Sequence, residues 1–428
     1  MRIENRSRTR LLFPAAILLL TALAFPAGSV AVQGGMGQAK SSLEDRAAVV
    51  DFLARELPRL HKNAFFKLKA PEFKALVDRF KASLPGLNED EFRVGLSRLV
   101  ASIGDAHTSL RPPVDHAFPL VLYWFKEGIF LTNTTREHEA LLYRKLAAVD
   151  GHPVAEVVKA FGAILSHENE AQLKSAIPQV LASAEALHGL RLISGPEKAV
   201  FTFEDDQGRT TDVTMIPLQV SAGLPPMAVE MRDASVWPLY QRDRQKAYWF
   251  AALPESRAVY VKYNSCREMK DRPFAAFVKD VFAAVESIQA ERLIVDLRNN
   301  GGGDSSLFDP FFRALSNSAR VNRKGRLFVV LGRQTFSSAI LNAIDLRKRT
   351  PAIFVGEPTG GKPNHFGEVK TLKLPRTKLE VSYSTKYFQA SYEDTPSLMP
   401  DFSVEVSIAD YRARRDPVLD VILSGTLQ

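Results

Sequence analysis

Cysteine is nearly absent: Cys266 is the single one in 428 residues. That excludes an internal disulfide framework and any Cys-rich metal cluster, and Cys266 itself reads as a small strand residue with no evident partner. Long basic runs and heptads are also missing, so neither a nucleic-acid arm nor a coiled coil is suggested. Beyond the N-terminus no stretch is apolar over the roughly 20 residues that a bilayer span needs. The 24 glycines and 25 prolines are too few for a collagen-like or low-complexity chain. His167 and Glu170 lie three apart, but no further ligand follows at a recognisable spacing, so no metal site is read. No cofactor is called for.

What remains is an ordinary globular mixture, 46% hydrophobic and 24% charged, long enough for two or three domains. Arg2, Arg6, Arg8 and Arg10 precede an apolar run from Leu11 to Phe25, and Ser29-Val30-Ala31 supplies small residues for cleavage. Residues 1–31 therefore read as an export signal, which implies a periplasmic or extracellular protein without a stable membrane span. Four arginines and Glu4 account for +3 of the formal +8, leaving about +5 beyond the signal and favouring no particular partner.

Residues 32–43 look like a flexible leader. From 44 to 115 the pattern is helical: Leu53, Leu57 and Leu60 recur at helical spacing, as do Phe73, Leu76, Val77 and Phe80. Asn88 with Glu91 three residues later marks a helix start. Residues 116–218 read as an α+β unit with a helical insert around 153–191 and a turn at Asp150-Gly151. Residues 219–245 read as a linker. From 246 to 428 short apolar strands alternate with helices, the signature of an α/β layer with at least partly parallel strands.

Three loops of that last region follow predicted strands, at the edge where open α/β sheets bind ligands. They are Asn299-Asn300-Gly301-Gly302-Gly303, Thr335-Phe336-Ser337-Ser338-Ala339 and Gly356-Glu357-Pro358-Thr359-Gly360-Gly361-Lys362. The helix after Ser337 carries the chain about 17 Å away. The strand Ala352 to Gly356 brings it back by about 16 Å. Lys362 then returns within reach of Ser337, which sits at a helix N-terminus suited to a developing negative charge. Serine as nucleophile with lysine as base follows. A lysine in that role must be kept neutral by burial, and Phe336 and Phe366 are candidates to enclose it. The glycine run allows a backbone N–H to approach a tetrahedral oxyanion. The bland alternatives are a serine that merely caps a helix and a solvated surface lysine. The third loop also fits the GxxxxGK pattern, but Pro363 has neither the hydroxyl nor the N–H that a nucleotide site needs there.

Over about residues 95–125 and 246–425 the chain resembles the S41 peptidases, the carboxyl-terminal processing serine proteases. Gly104-Asp105-Ala106-His107-Thr108 is similar to that family's GDGHT. Asp296 to Gly303 is similar to DLRxNxGG, the Thr335–Ala339 segment to the nucleophile segment, and Gly356–Lys362 to GEPTxGK. Lys362 follows Ser337 by 25 residues, the family's usual interval. The resemblance implies an α/β fold with a crotonase-like (ClpP/crotonase) catalytic core, an N-terminal helical bundle and a PDZ-like α+β domain. It implies Ser337 as nucleophile, Lys362 as general base, and Gly302, Gly303 and Ser338 around the oxyanion, acting on a protein or peptide substrate with no nucleic acid involved. Some related peptidases use Ser-His-Glu, which would make His107 the base. Pro363-Asn364-His365-Phe366 replaces the family's Gly-Thr-Val-Gln, so Asn364, His365 or Glu368 stands in for the glutamine that orients the lysine. The same departure motivates an alternative, a scaffold that binds peptide tails or an apolar ligand without cleavage.

Overall fold

The computed structural model describes residues 42–222, 227–229 and 236–427. The expected export signal, nearly all of the leader and part of the linker lie outside the described residues. The fold is mixed α/β, with several sheets and helices.

A six-stranded sheet runs in the order Phe402–Ser403, Ile353–Gly356, Leu327–Leu331, Arg292–Asp296, Ala258–Tyr263, Tyr248–Leu253. All neighbours pair parallel except the last two strands, which are antiparallel. A parallel sheet needs cover on both faces, and alternate side chains serve the two. Val259, Val261, Leu293, Val295, Val329 and Leu331 pack with the helices Phe274–Ser287, Asp309–Ser316 and Ser338–Arg349. Tyr260, Ile294, Phe328, Val330 and Val355 face the C-terminal helix Pro417–Leu423 instead. Leu327–Leu331 is buried at every position as a result. Register sets Asp296 beside Val330 and Leu331 beside Gly356, so the chain leaves these three strands at one rim.

A second sheet is antiparallel, ordered Leu120–Phe125, Gly128–Thr134, Lys145–Val149, Ala199–Glu204, Thr210–Met215. The expected insert resolves into three helices, Val154–Gly162, Glu170–Val180 and Ala184–Gly189. Asn169 and Ser183 cap the second and third through their side chains, which divides one long helical stretch into separate pieces.

The helices Leu43–Leu60, Ala70–Ser83 and Glu89–Ala101 occupy the N-terminal part. Asn88 and Glu91 form the reciprocal capping box that their spacing suggested. Val50, Leu53, Phe92 and Leu96 share a core with Leu374, Val381 and Tyr383, which come from or border the hairpin His365–Lys373 and Glu380–Phe388. Chain separated by some 300 positions in sequence thus packs as one unit. Among the described residues, no helix is long and apolar enough to cross a membrane, and no group of three His, Cys, Asp or Glu is placed to hold a metal ion.

Candidate active site

Thr335 locks the nucleophile loop. Its Oγ1 donates to the Leu297 carbonyl at 2.9 Å and accepts from the Gly332 N–H at 3.0 Å. Phe336 N–H donates to the Asn300 carbonyl at 2.9 Å, tying this loop to the glycine loop. Ser337 is thereby held at φ 54°, ψ −129°, a conformation costing about 1–3 kcal/mol for a residue with a side chain. The helix that follows starts at Ser338, which leaves Ser337 at its N-terminus as expected. The Ser337 side chain makes no capping bond, so the bland reading as an N-cap fails. A strained serine between a strand and the helix that follows is the arrangement that exposes a nucleophile in hydrolase elbows.

Gly302 has φ 103°, and a Cβ there would lie 2.8 Å from Ser337 Cβ and 3.0 Å from Ser338 N. Only glycine lets the backbone come this close. Gly302 N–H itself donates to Asn300 Oδ1 at 2.9 Å. Gly303 has φ 136°, and a Cβ on it would collide with the Cys266 carbonyl. The Ser338 hydroxyl donates to the Gly303 carbonyl at 2.6 Å, which commits that side chain to bracing the loop and leaves its N–H at the open start of the helix. Cys266 is buried with its thiol pushed up to about 12 by burial, an inert structural residue as expected.

Beneath the glycine loop lies a buried charge network. Lys262 Nζ donates to Asp296 Oδ1 at 3.0 Å and to Asn299 Oδ1 at 2.8 Å. Arg298 grips Asp416 with two bonds of 2.9 and 2.7 Å. Burial would raise the Asp296 carboxyl, but Arg298 and Lys262 outweigh it and hold it low. The same burial brings Lys262 down to about 8.

His107 is 3% exposed. Its ring stacks on Phe336, the neighbour of Ser337, at 4.3 Å between centroids, and on His365 at 5.4 Å. Both ring nitrogens are buried without a hydrogen-bond partner. Leaving such a group unpaired costs about 1–3 kcal/mol, so it demands an explanation. Burial drives His107 down to about 4, against the pull of Asp105, so the ring is neutral at neutral pH. Asp105 beneath it accepts from His61 Nε2 at 3.0 Å, His107 N–H at 2.9 Å, Thr108 Oγ1 at 2.5 Å and Ser384 Oγ at 2.6 Å. Burial opposes ionisation of Asp105, but these donors and the nearby His107 ring hold its carboxyl at about 2. His107 Nδ1 lies 3.9 Å from Asp105 Oδ1, in electrostatic contact but beyond hydrogen-bond range.

The Gly356–Lys362 loop does come back against the serine loop. Gly360 N–H donates to the Thr335 carbonyl at 3.0 Å, and a Cβ on Gly361 would lie 2.8 Å from the Phe336 ring. The Lys362 amine, expected to be buried beside Ser337, is partly exposed and paired elsewhere. Its Nζ pairs with Asp394 at 2.7 Å, and the side chain is 27% exposed. Of the residues considered for orienting the lysine, Asn364 Oδ1 instead accepts from Ala390 and Ser391 N–H. Glu368 is exposed, and His365 turns its ring to His107. Sequence reasoning passed over His61, Asp105 as a hub, Ser384 and Glu168, whose Oε2 accepts the Lys362 N–H at 3.0 Å. Asp105 stood inside a quoted motif; the other three carry no local signal.

At the level of sequence, no protein-family model and no curated protein matches the chain. Solved structures do. Mature CPAF superposes with a TM-score of 0.62 at 15% identity, covering 89% of this chain and 96% of that one. CPAF complexed with lactacystin gives 0.61 at 14%, over 89% and 97%. The photosystem II D1 C-terminal processing protease gives 0.42 at 14%, over 84% and 93%. The chain therefore has the fold seen in CPAF, in agreement with the S41 peptidase resemblance of its four motifs.

Proposed function

We propose that this chain is an exported serine endopeptidase acting on polypeptides through an acyl-enzyme, with Ser337 as nucleophile and His107 as its general base. One observation carries the choice of base. His107 is a buried, neutral imidazole with both nitrogens unpartnered, lying against the residue before Ser337, whereas the Lys362 amine is bound to Asp394. Ser337 Oγ attacks the peptide carbonyl as His107 takes its proton. The C–N bond breaks, and His107 returns that proton to the leaving amine. Water, deprotonated by the same imidazole, then hydrolyses the ester and frees the serine. The Ser338 and Gly303 N–H groups are the donors offered to the oxyanion, Gly302 allowing the close approach of the two loops, and the helix dipole adds to them.

Within this reading residues 246–428 form a crotonase-like catalytic domain and 116–218 a PDZ-like domain, with 1–31 removed on export to the periplasm or the exterior. The test is labelling by a fluorophosphonate, a serine-directed probe, together with hydrolysis of a denatured protein substrate. Labelling and hydrolysis that both vanish in Ser337→Ala support the proposal. Peptide binding without labelling would sink it in favour of a non-cleaving scaffold. CPAF holds lactacystin in one of its structures, so lactacystin is a natural first competitor for the probe.

A further inference from the structure

The helical insert between the strands Lys145–Val149 and Ala199–Glu204 reaches into the site through four consecutive residues, 166–169. Ser166 Oγ donates to the Thr108 carbonyl at 2.6 Å, just past His107. Glu168 Oε2 accepts the Lys362 N–H at 3.0 Å, and its carboxyl also accepts from the Ala106 backbone. Asn169 Nδ2 donates to the Thr359 carbonyl at 3.0 Å, the Pro396 carbonyl at 2.7 Å and Ser397 Oγ at 2.9 Å. Two loops that share no strand, one carrying His107 and the other returning against Ser337, are joined by this segment.

We propose that Glu168 is a positioning residue, the centre of a clamp with Ser166 and Asn169 that holds the His107 loop and the 356–362 loop in register beside Ser337. This rests on the reading of Ser337 and His107 as the catalytic pair. The groups facing Glu168 favour a neutral carboxyl. Asp105 presents a carboxylate from the His107 loop, and burial lowers the two imidazoles carried by these stretches, His107 and His365. The charge of Lys362 is engaged with Asp394, while on Glu168's own segment His167 Nδ1 is paired with the Leu165 carbonyl. Burial, helped by Asp105 and opposed by the two backbone N–H groups and Lys362, raises the Glu168 carboxyl to about 8. Neutral, it accepts both N–H bonds beside Asp105 without a second charge. Ionised, it sets a second negative charge against Asp105, and their repulsion strains the contact between the two loops.

The experiment compares the wild type, Glu168→Gln and Glu168→Ala by the second-order rate of fluorophosphonate labelling between pH 6 and 9, with thermal unfolding as a check on folding. Glutamine keeps an acceptor oxygen and cannot ionise. The wild-type rate is expected to fall above pH about 8, and Glu168→Gln to match it at pH 7 while losing that alkaline fall. Glu168→Ala should label at least about tenfold more slowly at pH 7, since small misplacements of a catalytic group are this costly. An alkaline fall that survives in Glu168→Gln, or an alanine variant as fast as wild type, overturns the clamp; should alanine unfold the chain, the glutamine profile alone decides. Wild-type protein that never labels would instead sink the serine reading itself, and the clamp with it.

Discussion

Acid pH separates the proposed histidine base from its alternatives. Burial against Phe336 and His365 brings His107 to about 4, where an ordinary imidazole stands near 6.5. The difference of about 2.5 units is on the order of 3 kcal/mol against the imidazolium. At pH 5 an ordinary histidine would be only about 3% neutral, whereas this one is about 90% neutral. The labelling rate at pH 5, where an exposed histidine would retain about 4%, should therefore remain at about nine-tenths of its pH 7 value and fall only near pH 4. Rates measured in a three-component buffer from pH 3.5 to 7, over times too short for acid unfolding, give the profile directly. His107→Gln should lower the plateau by about 10²–10⁴-fold, the usual worth of a general base. A midpoint near 6.5, or a glutamine variant within about threefold of wild type, would refute the assignment. The same group destabilises the fold in acid: below pH 6.5 the unfolded chain binds the proton first, so stability declines as pH drops toward 4.

Lys362→Met should change labelling by less than about threefold and stability by under about 1 kcal/mol, because its partly exposed pair with Asp394 is a surface salt bridge. A loss of about a hundredfold or more would restore the lysine as base. Gly302→Ala places a methyl 2.8 Å from Ser337 Cβ at φ 103°, and labelling should drop by about 10²-fold, the scale of a disrupted oxyanion hole; wild-type rates would show that the glycine backbone has no part in it. Ser337→Gly should be inactive yet about 1 kcal/mol more stable than Ser337→Ala, since glycine alone relieves the backbone strain at φ 54°. Chemical denaturation of the two variants measures this, and equal stabilities would mean the serine is not strained.

Local pattern was enough to find most of the elements that position the site. The strands Arg292–Asp296 and Leu327–Leu331 announce themselves as apolar runs because both faces are covered, and the Asn88–Glu91 box shows in four letters. Helix and strand lengths also anticipated that the 356–362 loop returns to Ser337. Side-chain direction was not legible. Whether the Lys362 amine points at Ser337 or at Asp394 depends on a segment 32 residues further on. His61, Ser384 and Glu168 converge on the His107 loop from three remote stretches of chain, and no periodicity encodes such a meeting.

The shared core of the first helices and the late hairpin has a temporal consequence. Asp105 is completed by Ser384 and by His61, and the 365–388 hairpin docks on helices that begin at Leu43. A ribosome must therefore finish nearly all of the polypeptide before the acid beneath His107 has its full set of donors. Contacts of such long sequence separation form late in folding. Until residues 43–110 and the 365–388 hairpin have met, the acid beneath His107 lacks two of its donors, so the proposed site is assembled only with the complete tertiary fold.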